Sequence, residues 1–180
     1  MKVVLVVLAV FLLYQGVMYF VRRHVDQLVA QNTGQQLQDF ELTDLSGKVW
    51  NVEAIAGRKA VFNFFRSHCQ MCRVEAATMR AFAGRVDPEK VIVFGVMMDE
   101  IQGYGIETTK RTLIELDYRH PVCMANEEFL DGFHGRSFPH VTPITYVADA
   151  NGRITASLRG HQRLDVLEAA VGADALLSAR

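Results

Sequence analysis

Residues 3–21 form a run of 19 residues that carries no charged side chain, and only Gln15 and Gly16 interrupt its apolar character. A helix needs about 20 apolar residues to cross the hydrocarbon core of a bilayer. Arg22 and Arg23 follow the run and mark a polar exit from it. The run therefore predicts a membrane-spanning helix and divides the chain at about residue 24.

A cleaved signal peptide and a buried core helix are the alternative interpretations of this run. A signal peptide has a shorter apolar stretch and a small-x-small cleavage site, and residues 19–24 offer no such site. We therefore expect an uncleaved anchor over residues 1–24. The flanking charges, Lys2 before the run and Arg22 and Arg23 after it, are nearly balanced and lean slightly against an exported domain.

The rest of the chain has the size and composition of one globular domain. Half of the 180 residues are apolar, 22% are charged and only 4 are Pro, which excludes general disorder. Residues 25–180 hold 16 basic and 20 acidic side chains, a net charge of −4. Nothing in this balance indicates nucleic-acid binding. Three cysteines are too few for a disulfide scaffold.

The domain begins after a polar segment. Residues 25–38 are rich in Gln and Asn, and we predict a helix extension followed by a linker. Residues 39–180 are then the compact domain. Alternating apolar residues at 40–43 and 49–52, with turn residues at 44–47, predict its opening hairpin.

A strand, a helix and a second strand follow the hairpin. Residues 60–65 and 91–96 are apolar runs of strand length, and a helical pattern covers residues 70–85 between them. Such a crossover is right-handed and places the strands in parallel. The spacing predicts an apolar helix face formed by Val74, Ala77, Ala81 and Phe82.

The remaining patterns complete a small mixed sheet covered by helices on both faces. The strongest hairpin signal in the chain is the Asn151–Gly152 pair, which separates the strands predicted at 144–147 and 153–158. The other predicted elements are helices at 107–117, 127–133 and 164–177 and a short strand at 121–124.

Cys69 and Cys72 lie directly after the first buried strand, at the start of the helix predicted at 70–85. Two cysteines three residues apart in a first helical turn can approach disulfide distance. The unpaired N–H groups and the positive end of the helix dipole favour a thiolate there. We interpret Cys69, at the exposed end, as the nucleophile and Cys72 as the resolving thiol.

Half of a zinc site and an inert structural disulfide are the other interpretations of this pair. A zinc site needs two more ligands, and the sequence holds no second CxxC or CxxH pair to supply them. The position between a strand and a helix favours redox chemistry, because it is the context that the CxxC motif requires.

Three segments resemble the membrane-anchored thioredoxin-like reductases of bacteria, the TlpA/ResA-like group. Residues 39–48 resemble the opening hairpin of the group, and residues 61–75 resemble its active-site strand and helix. Residues 141–147 resemble its cis-proline strand. The resemblance extends over about residues 37–175. It implies a thioredoxin-like α/β fold, a central mixed sheet flanked by helices, with an N-terminal hairpin.

The resemblance also implies roles for single residues. Glu75 matches an active-site glutamate of the cytochrome c maturation members, and could exchange a proton with Cys72 if it is partly buried; otherwise it is a solvated helix residue. Asn63 occupies the position where ordinary thioredoxins place a buried acid. Pro143 matches the cis-proline, beside which a substrate peptide pairs with the backbone of Thr142. A trans proline at a strand start is the alternative.

Two departures from the group concern the surroundings of the cysteines. His68 stands where the group usually has Trp, and Gln70, Met71 and Ala76 stand where it often has Pro. Because the dipeptide between the cysteines and its neighbours tune thiolate stability, these changes affect the redox potential. The dithiol chemistry itself is unaffected.

The third cysteine, Cys123, lies in a predicted strand and is interpreted as a buried, inert thiol. A copper-binding metallochaperone using Cys69, Cys72 and His140 is an alternative function, since thiolates suit Cu(I). A further alternative is a non-catalytic thioredoxin-fold subunit of a membrane complex.

The sequence as a whole predicts a membrane-anchored thiol–disulfide oxidoreductase that requires no metal and no organic cofactor. The resemblance implies reduction of disulfides in exported proteins, for example in cytochrome c maturation, and re-reduction by a membrane electron donor. It implies a single-pass protein of the bacterial inner membrane. Because this chemistry belongs outside the cytoplasm, we expect residues 39–180 on the periplasmic or outer side.

Overall fold

The computed structural model describes residues 2–134 and 141–177, without the side chains of residues 132–134. Its elements in chain order are α1 (Lys2–Ala30), β1 (Glu41–Thr43), β2 (Val49–Asn51), α2 (Val52–Ile55), β3 (Lys59–Phe65), α3 (Gln70–Ala83), β4 (Val91–Met97), α4 (Ile106–Leu116), β5 (Val122–Met124), α5 (Glu127–His134), β6 (Ile144–Ala148), β7 (Ile154–Arg159) and α6 (Leu164–Val171).

β3 is the central strand of a five-stranded sheet in the order β5-β4-β3-β6-β7. It pairs in parallel with β4 and antiparallel with β6, while β1 and β2 form a separate hairpin. Phe62 and Phe64 belong to the core on one face of the sheet, and Val61 and Phe65 belong to the core on the other. The predicted mixed sheet with two buried faces is confirmed.

The buried face of α3 differs from the predicted one. Val74 is 49% exposed and Ala77 and Ala81 are also exposed, so the predicted core face is wrong at these three residues and right only at Phe82. The face that packs on the sheet comprises Cys72, Glu75, Ala76, Met79 and Phe82. This rotation removes more apolar surface from water than a valine and two alanines could, because it buries a methionine with the phenylalanine. It also carries a glutamate into the interior.

The last helix, α6, ends at Val171, earlier than the predicted end at residue 177. Gly172 has a φ of +86° and a ψ of +153°, a positive-φ backbone conformation that cannot continue the helix and that glycine adopts without steric cost. A 3-10 turn, Ala173–Ala175, follows it.

The end of α1 packs against the domain. Val29 is 2% exposed and Leu37 is 7% exposed, and both belong to the core. The backbone N–H of Leu37 donates to the carbonyl of Gly152 at 2.8 Å. Residues 31–37, expected to belong to a linker, therefore lie on the β6–β7 hairpin, because that hairpin offers partners for their backbone groups and apolar side chains.

The apolar part of α1 has the length and composition of a membrane span. Its most apolar window of 18 residues has a mean hydropathy of 2.4, and none of that window is buried. This exposure argues against a core helix. A membrane anchor and a signal sequence both agree with it.

The loop between α4 and β5 holds a histidine whose ring packs against a tyrosine ring. The rings of His120 and Tyr118 lie 4.6 Å apart, and within the described part of the chain neither ring nitrogen of His120 has a hydrogen-bond partner. Burial lowers the pKa of His120 to about 4, because the imidazolium would lose its hydration without gaining a partner. The folded protein therefore keeps this side chain neutral where the unfolded chain protonates it.

We expect His120 to make the protein less stable as the pH falls from about 6.5 to about 4. Over this window the unfolded chain gains a proton at His120 that the folded chain does not bind. This difference lowers the free energy of unfolding by about 3 kcal/mol. His120→Leu should remove this part of the acid loss. The urea midpoint of the full chain in mild detergent, followed through Trp50 fluorescence, measures it. His24→Gln, at an exposed position, is the control, and an unchanged acid slope in His120→Leu would contradict the assignment.

Candidate active site

Cys69 and Cys72 form a disulfide at the N-terminus of α3, with their Cα atoms 5.2 Å apart. Cys69 is the N-cap residue, and its Sγ accepts the backbone N–H of Cys72 at 3.1 Å. Cys69 is 7% exposed and Cys72 is 1% exposed. In the reduced protein the cap position favours the thiolate form of Cys69, which is also the more accessible sulfur.

The residue before the pair has an unusual backbone conformation. His68 has a φ of +57°, in the left-handed region that residues with a Cβ rarely adopt. Its ring meets the ring of Tyr104 edge-on, at a centroid distance of 5.2 Å. This conformation turns the chain sharply between β3 and α3, so that Cys69 rather than an earlier residue caps the helix.

A buried carboxylate, Asp99, holds the loop that leads to Cys69. Its Oδ1 accepts the backbone N–H of Ser67 at 2.7 Å, and its Oδ2 accepts the hydroxyls of Ser67 and Thr109 at 2.6 and 2.7 Å. The Ser67 hydroxyl also lies 2.6 Å from that of Thr112. Ser67 follows β3 and Asp99 follows β4, so this network joins the ends of two neighbouring strands and fixes where α3 begins.

The loop before β6 lies against the cysteine pair. The peptide bond between Thr142 and Pro143 is cis, the isomer that the resemblance implies. The Thr142 carbonyl oxygen lies 3.6 Å from Cys69 Sγ. The Pro143 carbonyl accepts the backbone N–H of Gly160 at 2.8 Å. Helix α3 and the β6 loop therefore meet at Cys69.

Glu75 is buried one turn below Cys72, on the same face of α3, and is 1% exposed. Its carboxylate accepts the amide of Asn63 at 3.0 Å and the backbone N–H of Gln162 at 2.8 Å. Asn63 also donates to the Thr145 hydroxyl at 3.0 Å. Burial raises the pKa of Glu75, and the two hydrogen bonds and the nearby His161 only partly oppose this effect.

Cys123, the third cysteine, lies apart from this site. Cys123 is fully buried in β5, and burial together with the charge of Asp44 raises the pKa of its thiol to about 12. Within residues 2–134 and 141–177, no group of three or more His, Cys, Asp or Glu side chains is placed to hold a metal. His140 lies outside the described residues, so its expected approach to the cysteines stays a prediction.

Sequence reasoning missed Ser67, Asp99 and Gln162. A signal existed for the first two, because each lies just beyond a strand predicted to be buried and parallel to its neighbour. The carboxyl ends of such strands meet at one edge of a sheet. Gln162 has no comparable signal, since it contributes a backbone N–H from the loop between β7 and α6.

Proteins similar to this chain share the arrangement of its elements. A thiol-disulfide oxidoreductase, ResA, from Bacillus anthracis is 23% identical over 158 residues, which cover 88% of this chain and 83% of the relative. The thioredoxin domain of a thiol-disulfide oxidoreductase from Bacteroides vulgatus matches with a TM-score of 0.59 at 21% identity, covering 78% of this chain and 98% of that domain. StoA from Bacillus subtilis matches with a TM-score of 0.63 at 14% identity, covering 76% of this chain and 98% of StoA.

These structures show the fold alone, and the predicted thioredoxin-like fold is confirmed. The sequence pattern of the AhpC/TSA family matches residues 33–157. This stretch contains the cysteine pair, Glu75 and the cis-proline, and it is more than half of the chain. The protein therefore belongs to the AhpC/TSA family.

Proposed function

We propose that the protein is a membrane-anchored thiol–disulfide oxidoreductase that reduces disulfides of exported proteins. The observation that carries the proposal is the Cys69–Cys72 pair at the N-terminus of α3, facing the cis-Pro143 loop. The name of the Bacillus anthracis relative, a thiol-disulfide oxidoreductase, supports it. The apolar, unburied α1 supports the anchor.

In the proposed reaction the Cys69 thiolate attacks one sulfur of a substrate disulfide. A mixed disulfide forms, and the other substrate sulfur leaves as a thiolate that takes up a proton. The Cys72 thiol then loses its proton, and the resulting thiolate attacks Cys69 Sγ and releases the second substrate sulfur as a thiolate that takes up a proton. The substrate gains two electrons and two protons, and Cys69–Cys72 is left oxidised.

Glu75 is the proposed proton acceptor for the Cys72 thiol. Both side chains are buried on the same face of α3, one turn apart, and Cys72 has little access to water. Burial raises the pKa of this carboxyl, which makes its carboxylate a stronger proton acceptor than an exposed one. Asn63 and the Gln162 N–H position this carboxyl.

The Thr142–Pro143 loop is the proposed docking site for the substrate. An extended substrate segment would pair with the backbone of Thr142, whose carbonyl oxygen already lies beside Cys69 Sγ. Such pairing would present a disulfide to Cys69 without requiring a particular side chain. Apocytochrome c or another exported thiol protein fits this mode.

The cycle requires a membrane electron donor that reduces the Cys69–Cys72 disulfide again. It requires no organic cofactor, since both electrons pass between sulfur atoms. The proposed location is the bacterial inner membrane, with the N-terminus in the cytoplasm and the domain in the periplasm or on the outer side. The chemistry of an exported dithiol supports this orientation better than the charges that flank the apolar run.

The first test of the proposal is reduction of insulin disulfides by the full chain in detergent, with dithiothreitol as the electron supply. Cys69→Ser and Cys72→Ser should each reduce the rate to that of dithiothreitol alone. Cys123→Ala is the matched control and should retain the rate, since Cys123 is buried away from the pair. In cells, Cys72→Ala should trap mixed disulfides with Cys69. Wild-type activity in Cys69→Ser would overturn the proposal.

Glu75→Gln should slow the attack of Cys72 on a preformed mixed disulfide by roughly 100-fold, the usual contribution of a positioned proton-transfer group. Stopped-flow release of a chromophoric thiol from Cys69, measured across pH, follows this step. The pH profile should lose the limb that belongs to the carboxyl, which a purely structural change would not cause. Glu89→Gln, in the exposed loop before β4, is the control. An unchanged profile in Glu75→Gln would remove Glu75 from the mechanism.

Asp99→Ala should lower the rate at which reduced Cys69 attacks a small aromatic disulfide by about 10-fold or more, because the Ser67 loop loses its hydrogen bonds to the carboxylate. Asp99→Asn keeps the shape and part of the bonding, so its rate should lie between those of wild type and Asp99→Ala. The matched control is Asp87→Ala, which removes a turn aspartate at the opposite end of β4. Equal effects of the two alanine variants would contradict a positioning role.

A further inference from the structure

The end of α1 lies along β7 in a defined direction. Asp26 forms an ion pair with Arg159, the last residue of β7. Eight residues later, the backbone N–H of Gly34 donates to the carbonyl of Ile154, the first residue of β7, at 2.7 Å. The chain therefore runs antiparallel to β7 as it leaves the apolar part of α1.

Side chains between these two points hold the segment in place. Thr33 donates its hydroxyl to that of Ser157 at 2.7 Å, and the amide of Asn32 donates to the Tyr146 hydroxyl at 3.3 Å. Val29 is buried in the core between them. Contacts of three kinds, ionic, polar and apolar, therefore fix α1 on the domain.

The end of β7 that meets Asp26 is the active-site end of the sheet. Arg159 pairs with Ile144, the residue after Pro143, and Ile144 pairs with Phe64 near the end of β3. The chain leaves this end of β3 to reach Cys69. Residues 3–21 are the apolar part of α1 that precedes Asp26. They therefore extend away from the domain beyond the active-site end of the sheet.

The lengths of these elements show how close the active-site end of the sheet would lie to the bilayer surface. Five residues of helix separate Val21 from Asp26, about 8 Å at 1.5 Å per residue. The six residues of β7 span about 20 Å. When residues 3–21 cross a bilayer, the active-site end of the sheet lies about 10 Å from its surface, and the opposite end lies about 30 Å from it.

In that position the membrane side of the domain would carry two exposed apolar side chains. Met71 in the first turn of α3 is 47% exposed, and Ile106 at the start of α4 is 61% exposed. Both apolar groups would face the gap between the domain and the bilayer surface, where contact with a partner would remove them from water.

We propose that the docked α1 turns the Cys69–Cys72 pair toward the membrane, so that the electron donor of the proposed cycle, acting as a partner dithiol, reaches the pair at the bilayer surface. This inference rests on the proposed anchor and activity. The partner thiolate attacks Cys69 Sγ, and Cys72 leaves as a thiolate and takes up a proton. The second partner thiolate then attacks the partner's sulfur in the mixed disulfide, and Cys69 leaves as a thiolate that takes up a proton. Two electrons and two protons reach the cysteine pair, and the partner becomes a disulfide.

The orientation is tested by energy transfer from a single label to acceptor lipids, with the full chain reconstituted in liposomes. One label is placed at Gln70→Cys and the matched one at Glu89→Cys, both in a Cys69→Ser, Cys72→Ser, Cys123→Ala background. With a short-range donor–acceptor pair, transfer from position 70 should be at least twice that from position 89.

The partner is tested with oxidised wild-type chain and a dithiol peptide coupled to a lipid head group. A direct link should reduce Cys69–Cys72 at least 10-fold faster than a link through about ten prolines, which lifts the dithiol by about 30 Å. Soluble dithiothreitol should reduce both preparations at one rate.

The results of these experiments distinguish failure of the anchor, of the activity and of the orientation. If the chain does not float with liposomes, the anchor fails and the orientation fails with it. If the wild-type chain in detergent cannot reduce insulin, the proposed activity fails. If the chain floats with liposomes and reduces insulin in detergent, but position 89 transfers as much energy as position 70 or the proline link reacts as fast as the direct link, then the membrane-facing orientation alone is overturned.

Discussion

The burial of β3 on both faces is the constraint on which the rest of this structure depends. β3 can be central only because it pairs with β4 on one side and β6 on the other. The C-terminal end of β3, the C-terminal end of β4 and the start of β6 therefore meet at one edge. From these three points come Cys69, Asp99 and Pro143. The chemistry lies where the pairing of the central strand brings separate parts of the chain together.

Two buried carboxylates near the cysteines show different uses of polarity in the core. Asp99 accepts three hydrogen bonds from neighbouring residues, so its burial costs little and fixes a loop. Glu75 accepts two, and the Oδ1 atom of Asn63 beside it lacks a partner within the described residues. The less complete network surrounds Glu75, for which we propose a change of protonation. The more complete network surrounds Asp99, which only positions the Ser67 loop.

The strands and the cysteine pair could be predicted from sequence because each leaves a local signal. The runs at 60–65 and 91–96 are too apolar for exposed structure, and a CxxC motif between a strand and a helix has few interpretations. The burial of Glu75 could not be predicted, since it depends on the rotation of α3 by packing rather than on local spacing. The docking of residues 31–37 was missed because a Gln-rich segment with one leucine lacks periodicity, and its partners are more than 100 residues away in sequence.

A domain fixed to its own membrane helix encounters its partners in fewer orientations than a domain on a flexible tether. In the anchored protein that we propose, encounters with another membrane protein take place in two dimensions, and the narrow gap raises the effective concentration of any thiol presented there. The same gap acts as a size filter. A folded soluble protein is wider than about 10 Å and would be kept out, whereas an extended chain could enter edgewise and reach the cis-proline loop. The docking of seven residues after α1 would thus select unfolded substrates before any contact with a cysteine.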